Sequence, residues 1–95
     1  MSDRLHELID VIGEDVDFNG DVEFHDSRSG AAVASFELTF AGSDWQVHIT
    51  EVAEDAYDLV VPELSTEVYS FRGPADVAAE EIVRVFRTEL GFDDV

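Results

Sequence analysis

Two runs of alternating apolar and polar residues, separated by a short glycine-containing turn, occupy residues 33–51. The apolar members are Phe36, Leu38 and Phe40 in the first run and Trp45, Val47 and Ile49 in the second. Such alternation is typical of strands that bury one face, and Gly42-Ser43 suits a two-residue turn with glycine at its first central position. That turn pairs Phe40 with Trp45 and each remaining apolar residue with another. The segment therefore predicts an antiparallel hairpin with one apolar face.

The predicted register also determines what lies on the second face of the hairpin. It pairs polar residues there: Ser35 with Thr50, Glu37 with His48 and Thr39 with Gln46. Residues of neighbouring strands are expected on the same face, namely Glu23, His25 and Asp58. The sheet should therefore have one apolar face and one polar face.

Three further strands are predicted around this hairpin. Residues 21–26 precede it, residues 56–61 follow it, and residues 67–72 form a fifth strand after a loop at 62–66. Pairing Ile49 of the hairpin with Leu59 of the strand 56–61 keeps the apolar residues of both strands on the same face of the sheet. The strands are therefore expected in meander order.

The segment 14–20 contains Asn19-Gly20, a dipeptide that favours hairpin turns. A hairpin at this point would pair Phe18 with Asp21 and Val16 with Glu23, so that the apolar residues of its two arms would lie on opposite faces. We therefore interpret 14–20 as a connection and place the first strand at 21–26.

Helices are predicted at both ends of the sequence. Leu5, Leu8, Ile9 and Ile12 form one apolar stripe of a helix from Ser2 to Ile12, with Gly13 in the position of a C-terminal cap. A second helix is expected from Pro74 to Leu90, because proline suits a first turn and Gly91 supplies a stop. Phe92 is expected to contact Phe86 beyond that stop.

These elements predict an α+β fold. The expected architecture is a two-layer sandwich: an antiparallel meander sheet of about five strands, with the N- and C-terminal helices on one face. Residues 1–95 are expected to form a single domain, since the sequence contains no repeat and no long linker.

The charge of the chain constrains its environment. The sequence contains 23 Asp and Glu, five basic residues that are all arginine, and a formal net charge of -18. On a folded surface of about 5,400 Å² these net charges lie about 17 Å apart. Their repulsion is screened only where the Debye length is short, about 3 Å at 1 M salt. This acidic, lysine-free and cysteine-free composition resembles that of proteins from salt-in haloarchaea.

Several kinds of chemistry require residues that the sequence lacks. Without lysine there is no Schiff base and no phosphate-binding loop, and without cysteine there is no thiol nucleophile, disulfide or thiolate zinc site. Direct binding of nucleic-acid phosphates is disfavoured by the net charge. No apolar run is long enough to span a membrane, and the first residues lack the apolar core of a signal peptide. We expect a cytoplasmic protein without membrane contact.

The fifth predicted strand leaves an apolar patch outside the core. If Tyr69 and Phe71 face the core, Val60 and Val68 lie on the polar face; otherwise the two aromatic residues are themselves exposed. Exposed apolar patches often mark interfaces, unless a loop such as 62–66 folds over them. We therefore predict a non-enzymatic protein-interaction domain, plausibly a homodimer, that needs no cofactor. Its predicted contact residues are Val60, Val68, Glu37 and His48.

Two other functions remain open on the sequence. His25, His48 and nearby carboxylates are the residue types that bind a divalent metal or transfer a proton, which would make the chain a small metal-binding protein or enzyme. Alternatively, rows of carboxylates would mimic nucleic acid and bind a basic protein. No set of serine, histidine and aspartate has the spacing of a hydrolase site.

Overall fold

The computed structural model describes residues 3–40, 42–64 and 67–89. Its seven elements follow in the order α1 (Asp3–Asp15), β1 (Glu23–Asp26), β2 (Ala32–Phe40), β3 (Ser43–Ala53), β4 (Ala56–Val60), β5 (Tyr69–Arg72) and α2 (Ala75–Thr88). The strands form one antiparallel sheet in chain order, β1-β2-β3-β4-β5. The predicted α+β fold and meander order are therefore confirmed.

The hydrophobic core lies between the sheet and the two helices. Alternate strand residues, among them Leu38, Ile49 and Leu59, are fully buried on the helix side of the sheet. They form one cluster with apolar residues of both helices, such as Leu8 of α1 and Phe86 of α2. Burial of each such side chain stabilises the fold by about 1.5–3 kcal/mol. Both helices consequently pack on the same face of the sheet, and neither covers the other face.

The first helix continues past the predicted stop at Gly13. Its regular hydrogen bonding extends into the next segment, where the amide of Val16 donates to the carbonyl of Ile12 at 2.9 Å. Gly13 has a different role, because a Cβ at this position would lie 3.2 Å from Cε2 of Phe18. The missing side chain therefore allows the Phe18 ring to lie against the helix. The prediction of a cap at Gly13 was wrong for this reason.

The second helix begins one residue after Pro74, whose carbonyl accepts a hydrogen bond from the amide of Ala78 at 2.9 Å. The predicted helix end at Leu90, its stop and the contact of Phe92 lie outside the described residues. Neither α1 nor α2 has the length and apolar character that crossing a bilayer requires.

The hairpin register differs from the predicted one by two residues. Phe40 pairs with Ser43, Leu38 with Trp45 and Phe36 with Val47, so Phe40 and Ser43 form the last described pair of the hairpin. Gly42 has a φ of 79°, which glycine adopts at the second central position of a turn as readily as at the first. A shift of two residues keeps every apolar side chain on the same face, so alternation does not distinguish the two registers.

The pairing of β3 with β4 and the segment between α1 and β1 were also predicted from the sequence. Ile49 pairs with Leu59, as predicted, and the β3–β4 register shifts only between Glu51 and Ala53. The predicted connection at 14–20 is confirmed for residues 16–20, which contain no strand, whereas Glu14 and Asp15 belong to α1 and β1 begins at Glu23, two residues later than predicted. A backbone hydrogen bond attaches this connection to the hairpin: the backbone N–H of Asn19 donates to the backbone carbonyl of Glu37 at 2.8 Å. The site residues thus sit on a sheet with well-defined faces.

Candidate functional site

The sheet face opposite the helices, which we call the open face, carries the residues that the sequence singled out. Two rows of cross-strand neighbours run over it. One row consists of His25, Val33, Thr50, Asp58 and Ser70, and the next consists of Glu23, Ser35, His48 and Val60. Extended by one residue, the β4–β5 register sets Val68 opposite Val60. The open face therefore brings together His48, Val60 and Val68.

The best-connected polar pair of the open face is Ser35 and His48. Ser35 Oγ lies 2.8 Å from Nδ1 of His48, within hydrogen-bond distance. Ser35 is only 8% exposed although it faces away from the core, because the side chains of neighbouring strands surround it. A buried hydroxyl requires a partner, and His48 provides it. The bond directs the imidazole of His48 from β3 toward β2.

Glu37 does not pair with His48, which corrects the predicted cross-strand charge pair. The shifted register places Gln46 opposite Glu37, and Nε2 of Gln46 donates to Oε1 of Glu37 at 2.6 Å. His48 lies diagonally from Glu37 on the adjacent strand. The Glu37 carboxylate is therefore bound by the neutral side chain of Gln46 and not by His48.

His25 and His48 occupy different rows and different strands. His25 pairs with Val33 on β2, whereas His48 lies on β3 opposite Ser35. Two intervening strand spacings put their backbones about 10 Å apart across the sheet, in addition to the offset between rows. Among residues 3–40, 42–64 and 67–89 no three His, Asp or Glu side chains are arranged to hold a metal ion. These two histidines do not share a site.

The aromatic residues of β5 face the core, so the first of the two predicted arrangements is the observed one. Phe71 is buried, and Tyr69 is half-buried against the core cluster. Val68 is 56% exposed, and Leu64 in the preceding loop is itself exposed. Residues 65–66 of that loop lie outside the described part of the chain. An apolar residue is therefore accessible at this end of the open face.

The middle of the open face differs in charge from the rest of the molecule. A central patch of six residues contains no carboxylate and no arginine: Val33, Ser35, His48, Thr50, Val60 and Val68. Three acidic residues border it: Glu23 opposite Ser35, Glu37 on β2 and Asp58 opposite Thr50. Glu37 accepts a hydrogen bond from Gln46, and Asp58 accepts one from Ser70 at 2.9 Å. For a chain with a net charge of -18, this neutral patch is unusual.

The sequence interpretation missed a cleft on the helix side of β1. His6 of α1 stacks on Phe24 of β1 with ring centroids 3.9 Å apart and an angle of 8° between the rings. The cleft beside them has a volume of about 480 Å³. Its walls come from α1, the connection 16–22 and β1, which are separated along the chain, so no local pattern indicates it.

Comparison with known proteins leaves the function to be argued from these surfaces. No protein family matches the chain, and no curated protein or solved structure is detectably similar to it.

Proposed function

We propose that the protein is a non-enzymatic interaction domain of a salt-rich cytoplasm, which forms a homodimer through its open face and needs no cofactor. The observation that carries this proposal is the neutral central patch, with Val60 and Val68 at one end, on the uncovered face of a highly acidic chain. The proposed contact residues also include His48 within the central patch and Glu37 at its margin.

A second copy fits this face better than a basic partner does. A basic protein would be bound most strongly by carboxylates at the centre of the contact, where they would be desolvated and paired. Here the carboxylates lie at the margin, and Glu37 and Asp58 already accept hydrogen bonds from neutral side chains. Two copies can bring their neutral centres together while the acidic margins remain in solvent, where concentrated salt screens them.

The available area supports a dimer of moderate stability. Five strands at a spacing of about 4.8 Å, with about 3.3 Å per residue along each strand, give a face on the order of 500–700 Å². Two such faces would bury at most about 1,000–1,400 Å² in total if the acidic margins were included, so contact between the neutral centres reaches no more than the lower part of the range for specific interfaces. Dimerisation should therefore depend on protein concentration and on salt.

The experiment compares two valine-to-aspartate variants on opposite sides of the molecule. Val68→Asp introduces a charge at the central patch, whereas Val77→Asp introduces the same charge on α2, at a residue that is 42% exposed. Sedimentation velocity in about 2 M KCl should give a dimer for the wild type and for Val77→Asp, and a monomer for Val68→Asp. A monomeric wild type, or equal behaviour of the two variants, would contradict the proposal.

A further inference from the structure

The cleft between α1, the connection 16–22 and β1 combines an apolar floor with an acidic rim. The floor is formed by Ile9, Gly13, Phe18, Val22 and Phe24. The rim carries three exposed carboxylates, on Asp10, Glu14 and Asp21. A volume of about 480 Å³ falls within the range of small-molecule sites, about 300–1,000 Å³. The cleft lies on the helix side of the sheet, away from the central patch.

Two aromatic rings that line the cleft, those of Phe18 and Phe24, each contact another aromatic ring. The ring of Phe18 is tilted at 54° to that of the core residue Phe36, with centroids 4.6 Å apart. The ring of Phe24 stacks on His6. Both phenylalanines are half-buried, and both line the cleft. The floor therefore presents ring surface, and aromatic faces attract cations.

The charge of the cleft selects the sign of its ligand. Three carboxylates line it, and no arginine is among its described lining residues. An anion would meet repulsion from the rim, whereas a cation would be attracted by both the carboxylates and the rings. The acidic segment 90–95, which contains Asp93 and Asp94 and no basic residue, does not complement this rim.

The apolar floor distinguishes an organic cation from an inorganic one. Potassium and sodium ions remain strongly hydrated and gain nothing from contact with Ile9 or Val22. A cation with methyl or aryl groups buries those groups on the floor while its charge lies near the rim. This difference matters most in concentrated salt, because screening weakens attraction at a distance much more than it weakens a desolvated contact.

We propose that this cleft binds a small organic cation with an apolar body, of which a quaternary ammonium compound is the simplest representative. The proposal concerns a surface different from the dimer interface, so either proposal can fail without the other.

The test uses choline and its neutral isostere, in which a carbon atom replaces the nitrogen. Titration calorimetry and side-chain NMR in about 2 M KCl should show choline binding, with shifts centred on His6, Phe18 and Phe24. The neutral isostere should bind about five- to thirty-fold more weakly, since it lacks the charge but keeps the shape.

Variants then separate the contributions of ring and rim. Phe18→Leu keeps an apolar side chain but removes a ring, and should weaken choline binding by about five-fold or more. Asp10→Asn removes a rim charge at an exposed position where the fold tolerates the change, and should also weaken binding. Glu80→Gln removes the same charge at an exposed residue of α2 that does not line the cleft, and should leave the affinity unchanged.

Three results would overturn the proposal: no choline binding by the wild type, equal affinity for choline and its isostere, or shifts centred on the open face. Equal losses of affinity in Asp10→Asn and Glu80→Gln would also overturn it, because they would indicate general charge attraction instead of a site.

Discussion

Ser35 and His48 lie on adjacent strands and share a 2.8 Å hydrogen bond on the sheet face that no helix covers. The serine is buried among neighbouring side chains, whereas the histidine is only half-buried and borders Val60. This bond fixes a polar ring beside an apolar side chain at the centre of the proposed interface. This hydrogen bond suits a preformed contact surface, because the two side chains are already ordered and lose little conformational freedom on association.

The Ser35–His48 bond should be measurable as a coupling free energy. Ser35→Ala, His48→Ala and the double variant form a double-mutant cycle, for which we expect a coupling of about 0.5–1.5 kcal/mol. Urea unfolding in about 2 M KCl measures the three free energies without changing the ionic strength. Additive effects would show that the two groups do not interact.

Tyr57 presents a buried hydroxyl that no described residue satisfies. The residue is fully buried, and within the described chain its phenol oxygen has no hydrogen-bond partner. Tyr57→Phe keeps the ring and removes the unpaired group, so the free energy of unfolding should stay the same or rise by up to about 1 kcal/mol. Thermal and urea unfolding at neutral pH measure this change, and a loss above about 1 kcal/mol would indicate a partner for the hydroxyl.

The same tyrosine predicts a loss of stability at alkaline pH. Burial raises the pKa of Tyr57 above its ordinary value of 10.0 because it disfavours the phenolate, and the charges of Glu51 and Asp55 act in the same direction. The fold therefore retains this proton more tightly than the unfolded chain. The stabilisation is complete below the unfolded pKa and is lost as pH rises through the folded one.

Unfolding measured from about pH 8 to 11 should show this alkaline loss in the wild type and a smaller one in Tyr57→Phe. Tyr69→Phe carries the same substitution at a half-buried position and serves as the control. Equal pH profiles for the wild type and Tyr57→Phe would contradict the assignment.

Salt should stabilise the fold strongly. With a net charge of -18, repulsion extends over about 30 Å at 0.01 M salt but only about 3 Å at 1 M. Circular dichroism should therefore show a much less ordered chain in dilute buffer than in molar KCl, and the urea midpoint should rise with KCl. Identical spectra and midpoints in the two conditions would refute the screening argument.

Gly13→Ala tests the packing of Phe18 against α1. Alanine favours an internal helix position over glycine by about 1 kcal/mol, but its Cβ would approach the Phe18 ring to 3.2 Å. The ring lies at the end of a side chain and can move, so we expect a net stability change within about 1 kcal/mol and a clear shift of the Phe18 ring signals. Unchanged ring signals would mean that Phe18 does not lie against Gly13.

The sequence predicted the features that depend on local periodicity. Alternation identified the strands and their faces, and apolar stripes identified both helices, because burial imposes periods of two and about 3.6 residues. The same period of two could not determine the hairpin register, since a shift of two residues leaves Leu38 and Val47 on the buried face. Because of that ambiguity the sequence predicted Glu37 as the cross-strand partner of His48, whereas the structure pairs His48 with Ser35.

The cleft was not predictable in this way, because its walls meet only in three dimensions. His6 and Phe24 belong to different elements, and Gly13 resembled a helix stop when considered without Phe18. Val60 and Val68, by contrast, follow from the strand pattern: with Phe71 facing the core, alternation places both valines on the open face.

The helix layer joins one element that precedes the sheet with one that follows it. α1 packs on β2 and against α2, while α2 covers β5. During translation the whole sheet therefore leaves the ribosome before the last helix can shield its far half. Nascent copies would expose apolar strands to one another in that interval, until α2 arrives and covers β5.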